Sequence, residues 1–158
     1  MKYFGLLLLV FPSAAFAQRG AIDVKGSIGY VGFVDEGLGN HLHTGASARF
    51  YITNRFSVEP EFQYLYSDPG HYDIVFLPNV AWDFRKGRVE PYVTGGVGVL
   101  SSHFRGFGPP SSSSSLFGQV GGGAKIYLTE RWFIAPEARF GWEANIRFTV
   151  GIGYSFRR

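Results

Sequence analysis

Asn145-Ile146-Arg147-Phe148-Thr149-Val150-Gly151-Ile152-Gly153-Tyr154-Ser155-Phe156 decides the fold. Successive side chains of a strand point to opposite faces, so Ile146, Phe148, Val150, Ile152, Tyr154 and Phe156 share one face, and Asn145, Arg147, Thr149, Gly151, Gly153 and Ser155 share the other. One face suits hydrocarbon and the other water. Working back toward the N-terminus, the same alternation marks strands at about 21–33, 43–52, 56–66, 72–84, 89–100, 116–128 and 132–142, and the last runs over 145–157. The apolar set carries no charge in any of them. After the N-terminus no helical segment is long enough to span a bilayer, and a closed barrel is the remaining structure that satisfies every backbone N–H and C=O inside lipid.

The connections support an up-and-down barrel. Those at 53–55, 85–88 and 129–131 are tight, whereas 34–42, 67–71 and 101–115 are longer and rich in Gly, Ser, His and Asp. Short turns face the periplasm and long loops face outward in such barrels. Arg55, Arg85, Lys86, Arg88, Arg131, Arg157 and Arg158 gather at the short-turn end; Asp35, Glu36, Asp68 and Glu143 lie in or beside the opposite loops. A repeat fixes the register: Tyr51-Ile52-Thr53-Asn54-Arg55-Phe56 recurs as Tyr127-Leu128-Thr129-Glu130-Arg131-Trp132, and each copy continues into a strand with an inward carboxylate. Pro60, Pro91 and Pro136 fall outward-facing in the echoed segments, and Pro78 sits midway along its strand. A proline cannot donate to a ladder, so bulges or ladder gaps are expected there. A soluble sandwich or lipocalin-like barrel would tolerate edge prolines, but Tyr72, Ile74, Phe76, Val80, Trp82 and Phe84 would expose too much apolar surface.

Lys2, the apolar run Phe4 to Phe11 and the small residues before Gln18 form a cleavable secretory signal. Residues 1–17 are therefore the expected signal peptide and 18–158 a single barrel domain. The chain has no Cys, so stability must come from the closed ladder and packing. Its formal charge of +3 is too mild to suggest nucleic acid. Aromatic residues at 18% and 22 glycines suit aromatic girdles around a crowded interior.

The chain resembles the small eight-stranded outer-membrane β-barrels of the OmpA/OmpX type. The most specific match is the C-terminal signal of a polar residue, glycine and two aromatics, here Thr149, Gly151, Tyr154 and Phe156. Family members often end on the aromatic itself, whereas Arg157 and Arg158 follow here. The resemblance implies residence in the bacterial outer membrane, contact with its lipid and lipopolysaccharide, and insertion by the barrel-assembly machinery. It also implies a monomer.

Twelve charged residues face inward: Asp23, Lys25, Arg49, Glu59, Glu61, Asp73, Asp83, Glu90, Lys125, Glu137, Arg139 and Arg147. Lone buried charges are costly, so they should form a network, with Glu61 and Glu137 across the lumen from each other and Arg49, Lys125, Arg139 and Arg147 at nearby heights. Such a network could be a gate or proton path. A satisfied plug is the simpler reading, because eight strands leave an interior that side chains fill. Inward glycines such as Gly98 and Gly151 should make room for the long side chains.

His41, His43, His71 and His103 lie at the outer end. With Asp35, Glu36 and Asp68 they could bind a divalent metal, but closed ligand spacing is missing and solvated loop histidines are the plainer reading. Neither a metal nor another cofactor is expected. Ser101, Ser102 and His103 offer hydrolase residue types, as some barrels of this size deacylate lipid A, yet neighbours along a strand point apart. The Ser111 to Ser115 run reads as a flexible loop tip. The expected function is a non-enzymatic, plugged outer-membrane barrel serving envelope integrity or surface interaction through its loops; a lipid A-modifying enzyme or a small gated channel are the alternatives.

Overall fold

A computed structural model describes residues 21–33, 39–68, 71–84, 87–104, 111–142 and 145–156. Residues 1–17, the expected signal peptide, Asp35 and Glu36, Arg85 and Lys86, Glu143, and Arg157 and Arg158 lie outside them. The described residues form β1 (Ile22–Phe33), β2 (Gly39–Tyr51), β3 (Phe56–Asp68), β4 (His71–Asp83), β5 (Val89–Phe104), β6 (Ser111–Tyr127), β7 (Trp132–Gly141) and β8 (Asn145–Ser155). They pair antiparallel in chain order, and β8 closes on β1. Closure leaves no sheet edge within the wall.

The alternation is realised side chain by side chain. On β8, Phe148, Val150 and Ile152 are more than half exposed on the outer wall, while Arg147, Thr149 and Ser155 are buried in the lumen. The repeat is realised as two matching turns. Thr53 Oγ1 accepts the N–H of Phe56 at 2.9 Å and Thr129 Oγ1 that of Trp132 at 3.0 Å, while Ile52 N–H and Leu128 N–H donate to the carbonyls of Phe56 and Trp132. A hydroxyl closing its own turn explains why threonine recurs at this position.

Pro60, Pro78 and Pro136 leave ladder gaps rather than bulges, whereas at Pro91 the β5–β6 ladder runs on unbroken through Pro91↔Ala124. The β2–β3 ladder skips from Ser47↔Glu61 to Phe50↔Val58 around Pro60, β4–β5 skips around Pro78, and β6–β7 skips around Pro136, each with its register unchanged. Pro60 and Pro78 are direct partners across β3–β4 and interrupt the ladders on their far sides. The register shift that does occur in the β3–β4 pair lies between Tyr66 and Asp68, at the outer end.

Several outer boundaries differ from the sequence expectation. β2 begins at Gly39, so His41 and His43 sit on a strand with buried side chains rather than in a solvated loop. β5 and β6 continue to Phe104 and back from Ser111, pairing Leu100↔Ser115 through Phe104↔Ser111. The serine run is therefore strand, not a loose tip, because ladder hydrogen bonds are indifferent to the small side chains that carry them.

Candidate functional site

The lumen is the most elaborated part of the molecule. At mid-height Arg139 and Arg147, direct partners across β7–β8, meet two carboxylates. Arg147 Nη1 donates to Glu61 Oε1 at 3.0 Å and Nη2 to Glu137 Oε1 at 2.8 Å. Arg139 pairs with Glu61 Oε2 through Nη1 at 3.0 Å and with Glu137 Oε1 through Nε at 2.8 Å. Glu61 lies on β3 and Glu137 on β7, so the arginines span the lumen. Asn79 buttresses the group, donating to Glu61 Oε2 at 3.1 Å and accepting from Arg139 Nη1 at 2.9 Å. His43 Nε2 lies 3.4 Å from Arg147 Nη1.

Toward the periplasmic end, Lys25 reaches Glu59 at 3.1 Å and Glu137 at 3.5 Å. Arg49 donates through Nε to Glu59 Oε2 at 2.7 Å, its Nη1 lies 3.4 Å from Asp83, and its guanidinium stacks 4.3 Å from the centre of the Tyr92 ring. The Tyr92 hydroxyl donates to Glu137 Oε2 at 2.7 Å, tying this tier to the central one. Lys125 lies among Asp23 at 3.0 Å, Glu90 at 3.3 Å and Asp83 at 3.6 Å, and donates to the Tyr51 hydroxyl. The Tyr51 hydroxyl in turn donates to Asp83 Oδ2 at 2.8 Å. Eleven of the twelve inward charges thus join one connected set of ion pairs and hydrogen bonds; Asp73 instead sits 3.5 Å from His71 near the outer end. Side chains hydrogen-bonded from both sides of a low-dielectric interior resist rearrangement, and removing one partner leaves a buried charge.

Beside the central ion pairs the lumen also holds an apolar cluster, set among the buried polar side chains of His43, Gln63, Gln119 and Asn145. Val31, Leu65, Val75, Leu77, Leu100 and Phe117, from five strands, form a cluster in which no member is more than 7% exposed. Sequence reasoning missed this cluster. Its signal is weak: in Ile74-Val75-Phe76-Leu77 both faces are apolar, so alternation is lost.

Glycine makes room in two ways. A Cβ on Gly151 would meet the Lys25 side chain at 2.8 Å, as expected of a lumen crowded by long side chains. At Gly98 a Cβ would instead be driven into the backbone carbonyl of Phe76, so the neighbouring strand, not a long side chain, demands the glycine.

At the C-terminal end, Thr149 and Gly151 face the lumen, while Tyr154 stacks edge-on with Trp132 and Phe156, at 5.1 Å from each. Arg131 donates to the Tyr154 hydroxyl at 2.9 Å. At the outer end, Ser101 Oγ pairs with Ser114 Oγ at 3.2 Å, and His103 Nδ1 lies 3.3 Å from the carbonyl of Ser101 rather than beside its hydroxyl. That spacing does not assemble a nucleophile and its base. Among the described residues, no group of three or more His, Asp and Glu stands close enough to hold a metal ion.

The sequence matches the family described as the outer membrane protein beta-barrel domain over residues 4–156. No curated protein sequence matches the chain significantly. Among solved structures, the N-terminal β-barrel domain of Pseudomonas aeruginosa OprF superposes with a TM-score of 0.71 at 15% identity, covering 87% of this chain and 100% of that one. Neisserial surface protein A superposes with 0.71 at 12% identity (87% and 97%), and Ail, the attachment invasion locus protein of Yersinia pestis, with 0.60 at 17% (87% and 97%). At these identities the likeness is one of fold.

Proposed function

Because the chain belongs to the outer membrane protein β-barrel domain family, and so is a bacterial outer-membrane protein, we propose that it is a non-enzymatic barrel with a plugged lumen that meets partners at the cell surface through its β5–β6 hairpin. One observation carries the reading. The topmost β6–β7 partners are Gln119↔Gly141, with a further bond from Trp142 N–H to the Gly118 carbonyl, yet β6 extends to Ser111. The hairpin therefore rises about 25 Å along the strand beyond its β7 neighbour, at ~3.3 Å per residue. Three residues join β7 to β8, too few to cover that length.

The protruding segment also has recognition chemistry. Because the Gly118 carbonyl points toward β7, residues 116, 114 and 112 present their N–H and C=O groups on that same side, where no described residue pairs with them. Ser112, Ser114 and Leu116 are exposed, and no charge or proline blunts the edge. An edge of this kind accepts an extended segment of another protein.

The barrel stands as a monomer in outer-membrane lipid and lipopolysaccharide, uses no cofactor, and is inserted by the barrel-assembly machinery through Thr149, Gly151, Tyr154 and Phe156. Envelope integrity is its role if the hairpin has no partner. Deleting residues 103–112 separates the two: loss of cell or partner binding with normal detergent resistance supports surface interaction, whereas loss of resistance alone supports a structural role. Lipid mass spectrometry of the same envelopes tests the enzyme alternative, which changed lipid A acylation would establish.

A further inference from the structure

The outer wall carries a groove at its periplasmic end. Gly26 on β1, Ala46 and Ala48 on β2 and Pro60 on β3 present small outward side chains side by side, and they form the floor of a groove of about 570 Å³. Phe62 borders it on β3, and Trp132 and Tyr154 border it from β7 and β8. That volume lies in the ~300–1,000 Å³ range of ligand sites. A Cβ built on Gly26 meets nothing within 4 Å, so the space above the strand is open there.

The groove ends on a positive charge. Trp132 and Tyr154 meet edge to face at 5.1 Å beside the short turns, the position of an aromatic girdle at headgroup level. The Tyr154 hydroxyl accepts from Arg131 Nη1 at 2.9 Å, which fixes an exposed guanidinium at the headgroup end of the groove. A guanidinium carries five N–H donors in a planar fork that matches phosphate, and the bond to tyrosine uses one of them. The surroundings have the same sign: Arg55, Arg88 and Arg131 are exposed at the three short turns, against the single exposed carboxylate of Glu130 among the described residues there.

We propose that this groove holds one anionic phospholipid of the periplasmic leaflet, with an acyl chain over Gly26, Ala46, Ala48 and Pro60 and its phosphodiester on Arg131. The hydrocarbon floor accepts any chain, so selectivity lies at the arginine. The ammonium of a zwitterionic headgroup offsets the charge of its phosphate, whereas an anionic headgroup presents that charge in full. One arginine at the membrane surface then favours the anionic lipid about fivefold. The proposal rests on the lipid-facing wall with its short turns toward the periplasm, and it is independent of what the β5–β6 hairpin meets.

Three tryptophans make the test direct, because Trp132 lines the groove. A barrel keeping Trp132 alone, through Trp82→Phe and Trp142→Phe, is placed in phosphatidylcholine nanodiscs into which phosphatidylglycerol or phosphatidylcholine with brominated chains is titrated. Bromine quenches tryptophan on contact. Brominated phosphatidylglycerol should quench Trp132 at an about fivefold lower mole fraction than brominated phosphatidylcholine. Arg131→Gln should abolish that difference, and so should Gly26→Leu, whose side chain fills the groove. A barrel keeping Trp142 alone, exposed at the outer end, should be quenched by both lipids equally. Heat-modifiable gel migration shows that each variant is folded, and Gly26→Leu carries the test if Arg131→Gln is not. Equal quenching of Trp132 by the two lipids overturns the proposal, as does a preference that survives a folded variant or appears equally at Trp142. Trp132 reached by neither lipid while Trp142 is quenched overturns it in favour of a second copy covering the groove. Quenching of neither tryptophan by any lipid overturns the lipid-facing wall itself.

Discussion

Arg139 and Arg147 are direct partners across β7–β8, and the same two carboxylates, Glu61 and Glu137, bridge both guanidinium groups. Like charges facing each other in a ladder repel, and the wall tolerates them because each arginine has a carboxylate on either side. The four side chains come from three strands, so the group pins β3 to the β7–β8 pair across the barrel.

Glu61→Ala should therefore destabilise the barrel by about 3–5 kcal/mol, since it leaves two buried guanidinium groups sharing Glu137. Adding Arg139→Met should recover part of that loss by removing the charge left over. Urea unfolding in lipid vesicles measures both, and simple additivity of the two changes would show that the residues do not act as a unit.

On the outer wall the cost of charge depends on depth. Val150 is exposed near the middle of the apolar band, and Val150→Arg should cost about 2–4 kcal/mol because lipid cannot solvate the guanidinium. Ser114→Arg, on the hairpin, should cost ~0–1 kcal/mol. Equal unfolding midpoints for the two variants would place the bilayer wrongly on the barrel.

Two glycines separate a steric need from mere composition. Gly98→Ala should lose about 1–3 kcal/mol, because the backbone of β4 cannot move aside for the added methyl. Gly26→Ala, whose new Cβ meets nothing, should stay within ~0.5 kcal/mol of the parent. The same unfolding titration compares them.

The aromatic end of β8 makes a prediction about biogenesis rather than stability. Phe156→Ala should slow the appearance of folded barrel in pulse-labelled cells while the purified chain still folds in detergent. Unchanged insertion in cells would mean that Tyr154 and Phe156 are girdle residues only.

The wall was legible because lipid punishes every charged outward residue, which keeps the outward positions of all eight strands free of charge. The hairpin was not. Ser111 to Ser115 carry no hydrophobic signal, and outside the bilayer a strand needs none, since backbone pairing with Leu100 to Phe104 suffices. The apolar cluster was hidden for the opposite reason, as Val75 and Leu77 point inward beside outward Ile74 and Phe76. His41 read as a loop residue because the apolar alternation begins only at about 43, yet it pairs with Val31 on β1.

The account stands or falls on which face of each strand meets lipid, and single cysteines placed in turn at positions 146–156 of the barrel test this most directly. Labelled with an environment-sensitive fluorophore in lipid vesicles, positions 146, 148, 150 and 152 should be quenched by a lipid-borne quencher and not by iodide, while 147, 149 and 151 should resist the lipid-borne quencher. Quenching without period two, or iodide reaching the even positions, would contradict a lipid-facing wall around a packed lumen.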